Sequence, residues 1–139
     1  MPVMKDYYTI KLHDTDAAGI LFFAHQFSIV HDLYEKFLGS IGYGFKERFD
    51  HRDFFIPIVH AEADFNQPLT VGDTIEVALS VGRVGRTSFT LEFRLTDLDG
   101  TVVGSAITVH VTTDPATGRK IDLPESFRTK LEQAAHSRD

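Results

Sequence analysis

One stripe of apolar residues constrains the fold of this chain more than any other feature. Phe27, Val30, Leu33, Tyr34, Phe37, Leu38 and Ile41 recur at helical spacing, giving a helix from about His25 one broad apolar face. Asp32, Glu35 and Lys36 lie off that face, and Gly39 and Gly42 supply its end. Nearly everything else alternates with the period of a strand. Tyr8, Ile10 and Leu12 do so before the helix. Four sets follow it: Val59, Ala61, Ala63 and Phe65; Ile75, Val77, Leu79 and Val81; Phe89, Leu91, Phe93 and Leu95; and Ile107, Val109 and Val111. Pro68 and Gly72-Asp73 separate the first two, and Leu98-Asp99-Gly100 is a hairpin signal because Asp-Gly tolerates positive φ. Residues 44–53 read as a short second helix or an irregular flap, and the tail from Pro124 as a capped helix. No other element is large enough to cover the helical stripe, so it must lie on the sheet. The fold class is therefore α+β, an antiparallel sheet of about five strands layered on one long helix.

At 139 residues the chain reads as a single domain spanning 1–139, long enough to bury its own core. The net charge is −6 and the Lys and Arg residues are scattered, so the basic stripe of a nucleic-acid binder is missing from the pattern. There is no cysteine, which excludes disulfides, a thiolate nucleophile and thiolate metal ligands. The first residues lack the apolar core of a signal peptide, and no apolar run has the length of a membrane span. A cytoplasmic protein with no membrane partner is the expectation. Twelve phenylalanines and no tryptophan suit either a thick core or a pocket for a flat ligand.

The segment from His13 to His25 carries the chemistry. It sets the Asp16 carboxylate between strand and helix, follows it with Ala17, Ala18 and Gly19, and continues with Ile20, Leu21, Phe22 and Phe23. Gly19 lets the backbone pass close to a ligand. A carboxylate in apolar surroundings beside a helix start can attack a polarised carbonyl, or deprotonate water next to it. The competing role for Asp16 is to cap a turn or the helix. Asp14 either raises the pKa of Asp16 by like-charge repulsion or makes a turn hydrogen bond. His25 and Gln26 stand where they can position water or an acyl group. His60 reads as a partner for phenolic oxygens or as a half-exposed strand histidine. Arg83 and Arg86, beside Gly82 and Gly85, and Arg119 with Lys120 offer charge-assisted contacts to phosphate, or are simply solvated.

Asp14-Thr15-Asp16-Ala17-Ala18-Gly19-Ile20-Leu21-Phe22-Phe23, with Tyr34-Glu35 on the following helix, resembles the signature of the 4-hydroxybenzoyl-CoA thioesterase family. The run Pro57-Ile58-Val59-His60-Ala61 and then Asp64-Phe65 is similar to the 1,4-dihydroxy-2-naphthoyl-CoA thioesterases within it. The resemblance spans the chain in element order. It implies the hotdog fold, a curved antiparallel sheet wrapped around a central helix, and hydrolysis of an aromatic acyl-CoA. It also implies Asp16 as nucleophile or general base, with the backbone amide of Phe23 as donor to the thioester oxygen. Gly19, Phe22, His25, His60, Arg86 and Ser88 would contact substrate, with Phe54 and Phe55 joining Phe22 and Phe23 as ring walls. Arg86-Thr87-Ser88-Phe89 resembles the family's Arg-Lys-Ser-Phe stretch on the nucleotide side, with Thr87 in place of the lysine. No cofactor and no metal are implied. Family members form homodimers that assemble into homotetramers, with active sites between subunits.

Three other classes fit parts of the pattern. His13-Asp14 and His31-Asp32 are ligand types of metal phosphohydrolases, although the helical domain of those enzymes is missing. A hotdog hydratase would oppose a histidine and a carboxylate across the helix. A non-catalytic acyl-CoA-binding module would keep the fold without the reaction.

Overall fold

The computed structural model describes residues 2–46 and 53–136. Its elements are β1 (Met4–Thr9), α1 (His25–Ser40), β2 (Ile58–Phe65), β3 (Thr74–Val84), β4 (Ser88–Asp97), β5 (Val102–Thr113), β6 (Lys120–Ile121) and α2 (Glu125–Ala135). A 3-10 turn, Leu12–Asp14, lies between β1 and α1. Every strand pairing is antiparallel, in the order β1-β3-β4-β5-β2, with β6 added beside β5. This is the hotdog arrangement, with β6 as a short addition to the five longer strands.

The helical stripe behaves as its spacing requires. Ile29, Val30, Leu33, Tyr34, Phe37 and Leu38 of α1 are buried in one cluster with Ile75, Val77 and Leu79 of β3 and Leu91, Phe93 and Leu95 of β4. The helix stops in a Schellman motif: Gly42 takes φ +89°, Tyr43 N donates to Leu38 O and Gly42 N to Gly39 O. Helix α2 follows Pro124, and its buried Phe127 and Leu131 close the far end of the core, Phe127 against Tyr43, Phe54 and Phe89. No helix among the described residues is long and apolar enough to cross a membrane.

Two expectations are corrected. The first strand ends at Thr9 rather than running on to Leu12, because Lys11 N donates to the Asp14 carboxylate and winds the next residues into the 3-10 turn. Leu12 is left 77% exposed. The alternation of β2 does not sort its residues into an inside and an outside. Only Ala63 is partly buried against the core, while the strand's other residues, Val59 and Ile58 among them, are exposed. The possible helix or flap at 44–53 falls largely outside the described residues.

Candidate active site

The Asp16 loop is a miniature hairpin. Thr15 bridges Leu21, Asp16 N donates to Ile20 O at 3.0 Å, and Gly19 N returns to Asp16 O at 2.9 Å. Gly19 takes φ +79°, the left-handed conformation that closes such three-residue loops. A Cβ at Gly19 meets open space, so any penalty there comes from the backbone alone. Gly19→Ala is expected to cost about 1–2 kcal/mol, measured by chemical denaturation. The loop is tied down from two sides, by Leu21 N to Leu69 O at 2.7 Å and by Phe22 N to Asp14 O at 2.9 Å.

The Asp16 carboxylate is exposed, and one oxygen accepts from Ala18 N at 2.9 Å. Its surroundings in a single chain are therefore the protein surface, not the apolar enclosure that the neighbouring sequence suggests. That surface is itself apolar. Phe22 and Phe23 are exposed at 38% and 60%, and Phe23 meets exposed Phe65 edge-on at 6.2 Å.

The Phe23 amide is presented by its neighbours. Phe22 C=O accepts from His25 N at 2.8 Å, and the planar peptide then points the Phe23 N–H the opposite way, away from the helix start. Among the described residues that N–H has no acceptor, whereas the amides of Leu21 and Phe22 are both taken. A carbonyl oxygen arriving at the mouth of α1 meets a fixed, unclaimed donor.

Asp14 makes the turn hydrogen bond. It is buried, and one carboxylate oxygen accepts from Tyr8 OH at 2.6 Å and from Lys11 N at 2.8 Å. The other oxygen faces His13 Nε2 at 3.5 Å and His25 Nδ1 at 3.9 Å. Burial alone would raise the Asp14 pKa, but the two hydrogen bonds and the nearby imidazoles outweigh it and hold the carboxyl below its ordinary range. Burial, then the bond to Asp14, pushes Tyr8 well above a normal phenol, so it remains a donor. Gln26 is buried too, with both amide hydrogens given to main-chain carbonyls of Asp64 and Ser105. It contacts no open site. The signal for it was available, since Gln26 precedes Val30, Leu33 and Phe37 at helical spacing and so belongs to the buried stripe.

Phe22, Phe23, His25 and the Asp16 loop are brought together at the start of α1. The other candidates are not joined to them within one chain. Phe23 lies at Phe65, whose partner on β5 is Gly104, while His60 pairs with Val109 and Ser88 with Val111. Gly104 to Val111 is about 23 Å along the strand. His60 is exposed and bonded to Glu62 at 2.8 Å, and Arg86 pairs with Asp122 at 2.6 Å. Phe54 is a core residue against Tyr43 and Phe127, so it is no wall for Phe22 and Phe23.

A cleft of about 280 Å³ runs between α1 and the β2–β5 ladder, lined by Phe27, Val30, Tyr34, Ile58, Ala61 and Thr108 among others. Phe27, on the first turn of α1, is among its lining residues. His110 forms part of its floor, stacked on Phe89 at 4.8 Å and bonded through Nε2 to Thr108. Burial, with a smaller push from His31, lowers its pKa to about 3, so the imidazole is neutral and the cleft carries no charge there. Among the described residues no group of three or more His, Asp or Glu side chains is arranged to hold a metal ion.

A curved sheet around one helix, with a carboxylate loop and an unclaimed amide at the helix start, defines a class. The chain belongs to the thioesterase-like superfamily, whose family model matches residues 10–131. Its relatives include the 1,4-dihydroxy-2-naphthoyl-CoA hydrolase of Rippkaea orientalis, 38% identical over 137 residues that cover 96% of this chain and 99% of that protein. The enzyme of the same name from Synechococcus elongatus is 35% identical over 136 residues, covering 95% and 99%. Among solved structures, a 1,4-dihydroxy-2-naphthoyl-CoA thioesterase from Synechocystis superposes with a TM-score of 0.86 at 26% identity, covering 96% of this chain and 98% of that one. The likeness is thus to the naphthoyl-type members of the thioesterase-like superfamily.

Proposed function

We propose that this chain is an acyl-CoA thioesterase that hydrolyses 1,4-dihydroxy-2-naphthoyl-CoA, a step of menaquinone or phylloquinone biosynthesis. The relatives' names support the substrate. The structural observation that carries the reaction is the unclaimed Phe23 N–H at the end of the Asp16 hairpin. In one route the Asp16 carboxylate attacks the thioester carbon, Phe23 N–H meets the developing oxyanion, and coenzyme A leaves as thiolate. Water then cleaves the mixed anhydride and regenerates Asp16. In the other, Asp16 takes a proton from water, which attacks directly. Both consume one water and need no cofactor.

A second copy completes the site in this reading. Asp16 and the rings of Phe22, Phe23 and Phe65 are exposed in one chain, and β2 presents an unpaired edge with Ile58 and Val59 beside it. Edges and apolar patches of this kind require cover. Pairing two copies would enclose the carboxylate and bring the distant His60, Arg86 and Ser88 of one copy toward the Asp16 loop of another. We assign the protein as a cytoplasmic homodimer that associates further into a homotetramer.

Coenzyme A release from a panel of naphthoyl, 4-hydroxybenzoyl and straight-chain thioesters, followed with a thiol reagent, tests the assignment. The naphthoyl thioester is expected to have the highest kcat/KM. Preference for 4-hydroxybenzoyl or straight-chain substrates would move the acyl assignment and keep the reaction class. Absence of thiol release across the panel would remove the reaction class, and with it the distinction from a binding module. An enoyl thioester hydrated without thiol release would identify a hydratase.

A further inference from the structure

We infer that Gln26, seated on Gly104, is a positioning residue of the thioesterase reaction, holding the Phe23 amide in register with the β2–β5 edge. The inference rests on the proposed role of that amide and extends it to two residues that touch neither substrate nor Asp16.

Gln26 is the second residue of α1 and is 2% exposed. Its Nε2 donates to Ser105 O at 2.9 Å and to Asp64 O at 3.0 Å. Asp64 and Ser105 face each other across the β2–β5 ladder, so one amide group ties the helix start to both strands at once. Both of its N–H donors are used, as a buried amide requires. Its main chain reaches the catalytic segment directly, because Gln26 N donates to Phe23 O at 3.3 Å.

Gly104 is what lets the side chain in. It sits in the interior of β5, where glycine weakens a strand and often marks a close approach. A Cβ there would lie 2.9 Å from Gln26 Oε1, 3.0 Å from Nε2 and 3.2 Å from Asp64 O. Its φ is not in the left-handed region, so the requirement is for space rather than conformation. Because Gly104 pairs with Phe65, and Phe65 meets the Phe23 ring, the same strand position touches the site from two directions. Any displacement of Gln26 therefore moves the α1 start, and the amide with it, relative to the ring wall.

The test is a double-mutant cycle on the full chain. Gln26→Met keeps the volume and removes both donors, and Gly104→Ala keeps the donors and pushes them. Each is assayed for kcat and KM on the preferred thioester, well below its own midpoint of thermal unfolding. Each single variant should lose about 10- to 100-fold in kcat, the effect of a misplacement of about 1 Å, with KM within about twofold of native. Gly104→Ala combined with Gln26→Ala should be no slower than Gln26→Ala alone, because the added methyl then fills the space the amide left. Native-like kcat in either single variant, even with a lowered unfolding midpoint, overturns the inference and leaves the thioesterase reading standing. So does a loss that appears only in KM, or a fully additive cycle. A native protein that releases no coenzyme A overturns both together.

Discussion

Replacing Asp16 by Asn should abolish turnover of the thioester, lowering kcat by at least about 10²–10⁴-fold while leaving the unfolding free energy within about 0.5 kcal/mol of native. The structure explains why the two effects separate. The carboxylate is exposed, and its only hydrogen bond from a described residue comes from Ala18 N to Oδ1. An asparagine keeps a carbonyl oxygen in that place, so the Asx turn and the hairpin closed by Gly19 persist. What is lost is the negative charge and the lone pair that attacks carbon or removes a proton from water. Asp16→Ala should lose activity equally and add a small stability cost for the vacated Ala18 N–H. Stopped assays for free thiol and denaturation curves on the same samples check both halves. Near-native hydrolysis by Asp16→Asn would remove the residue from the mechanism. Unfolding of that variant would instead make Asp16 a turn residue.

Much of this arrangement was legible in the residue order, and its gaps have physical causes. The α1 stripe and strands β3, β4 and β5 are readable because one face of each is buried by the chain itself, so periodicity and burial coincide. At β2 they part. Nearly all of its alternating residues are exposed in the single chain, so its pattern cannot be assigned to faces from within. The carboxylate loop is readable for a different reason, since its turn needs a glycine at positive φ and the proposed chemistry needs an acid. The buried polar residues were the least legible. Gln26 and Asp14 look like surface groups by type; helical spacing with Val30, Leu33 and Phe37 is the one sequence sign of Gln26's burial, while the space at Gly104 that admits it and the Tyr8 hydroxyl opposite Asp14 are set by the fold. Arg86 illustrates the reverse case, a residue marked out by family likeness that is engaged with Asp122 in the single chain.

Asp14 is expected to be the polar residue whose truncation costs most stability, and its effect should depend on pH. Tyr8 OH and Lys11 N converge on one oxygen of a buried carboxylate, and Asp14→Ala leaves both without that acceptor. Hydrogen bonds to a charged group contribute about 1.5–3 kcal/mol each, and relaxation recovers some of that, so a loss of about 2–4 kcal/mol is expected. Asp14→Asn should cost only about 1 kcal/mol, because a single carbonyl oxygen has lone pairs for both donors and only the charge disappears. The pH dependence follows from the direction of the shift. The folded carboxyl titrates below its ordinary value, so its charge stabilises the fold fully above the unfolded pKa of about 4 and loses that contribution as pH falls toward the lower, folded one. Asparagine has no such titration. The stability gap between native protein and Asp14→Asn should therefore shrink as pH falls from about 5 to 3. Urea denaturation at a series of pH values measures it. A gap that stays fixed or widens in acid would show that Asp14 is not held as the anion by Tyr8 and Lys11. Because the main-chain oxygen of Asp14 also holds Phe22 N, the Ala variant should lose kcat as well, by displacing the Phe22–Phe23 peptide that carries the proposed oxyanion donor.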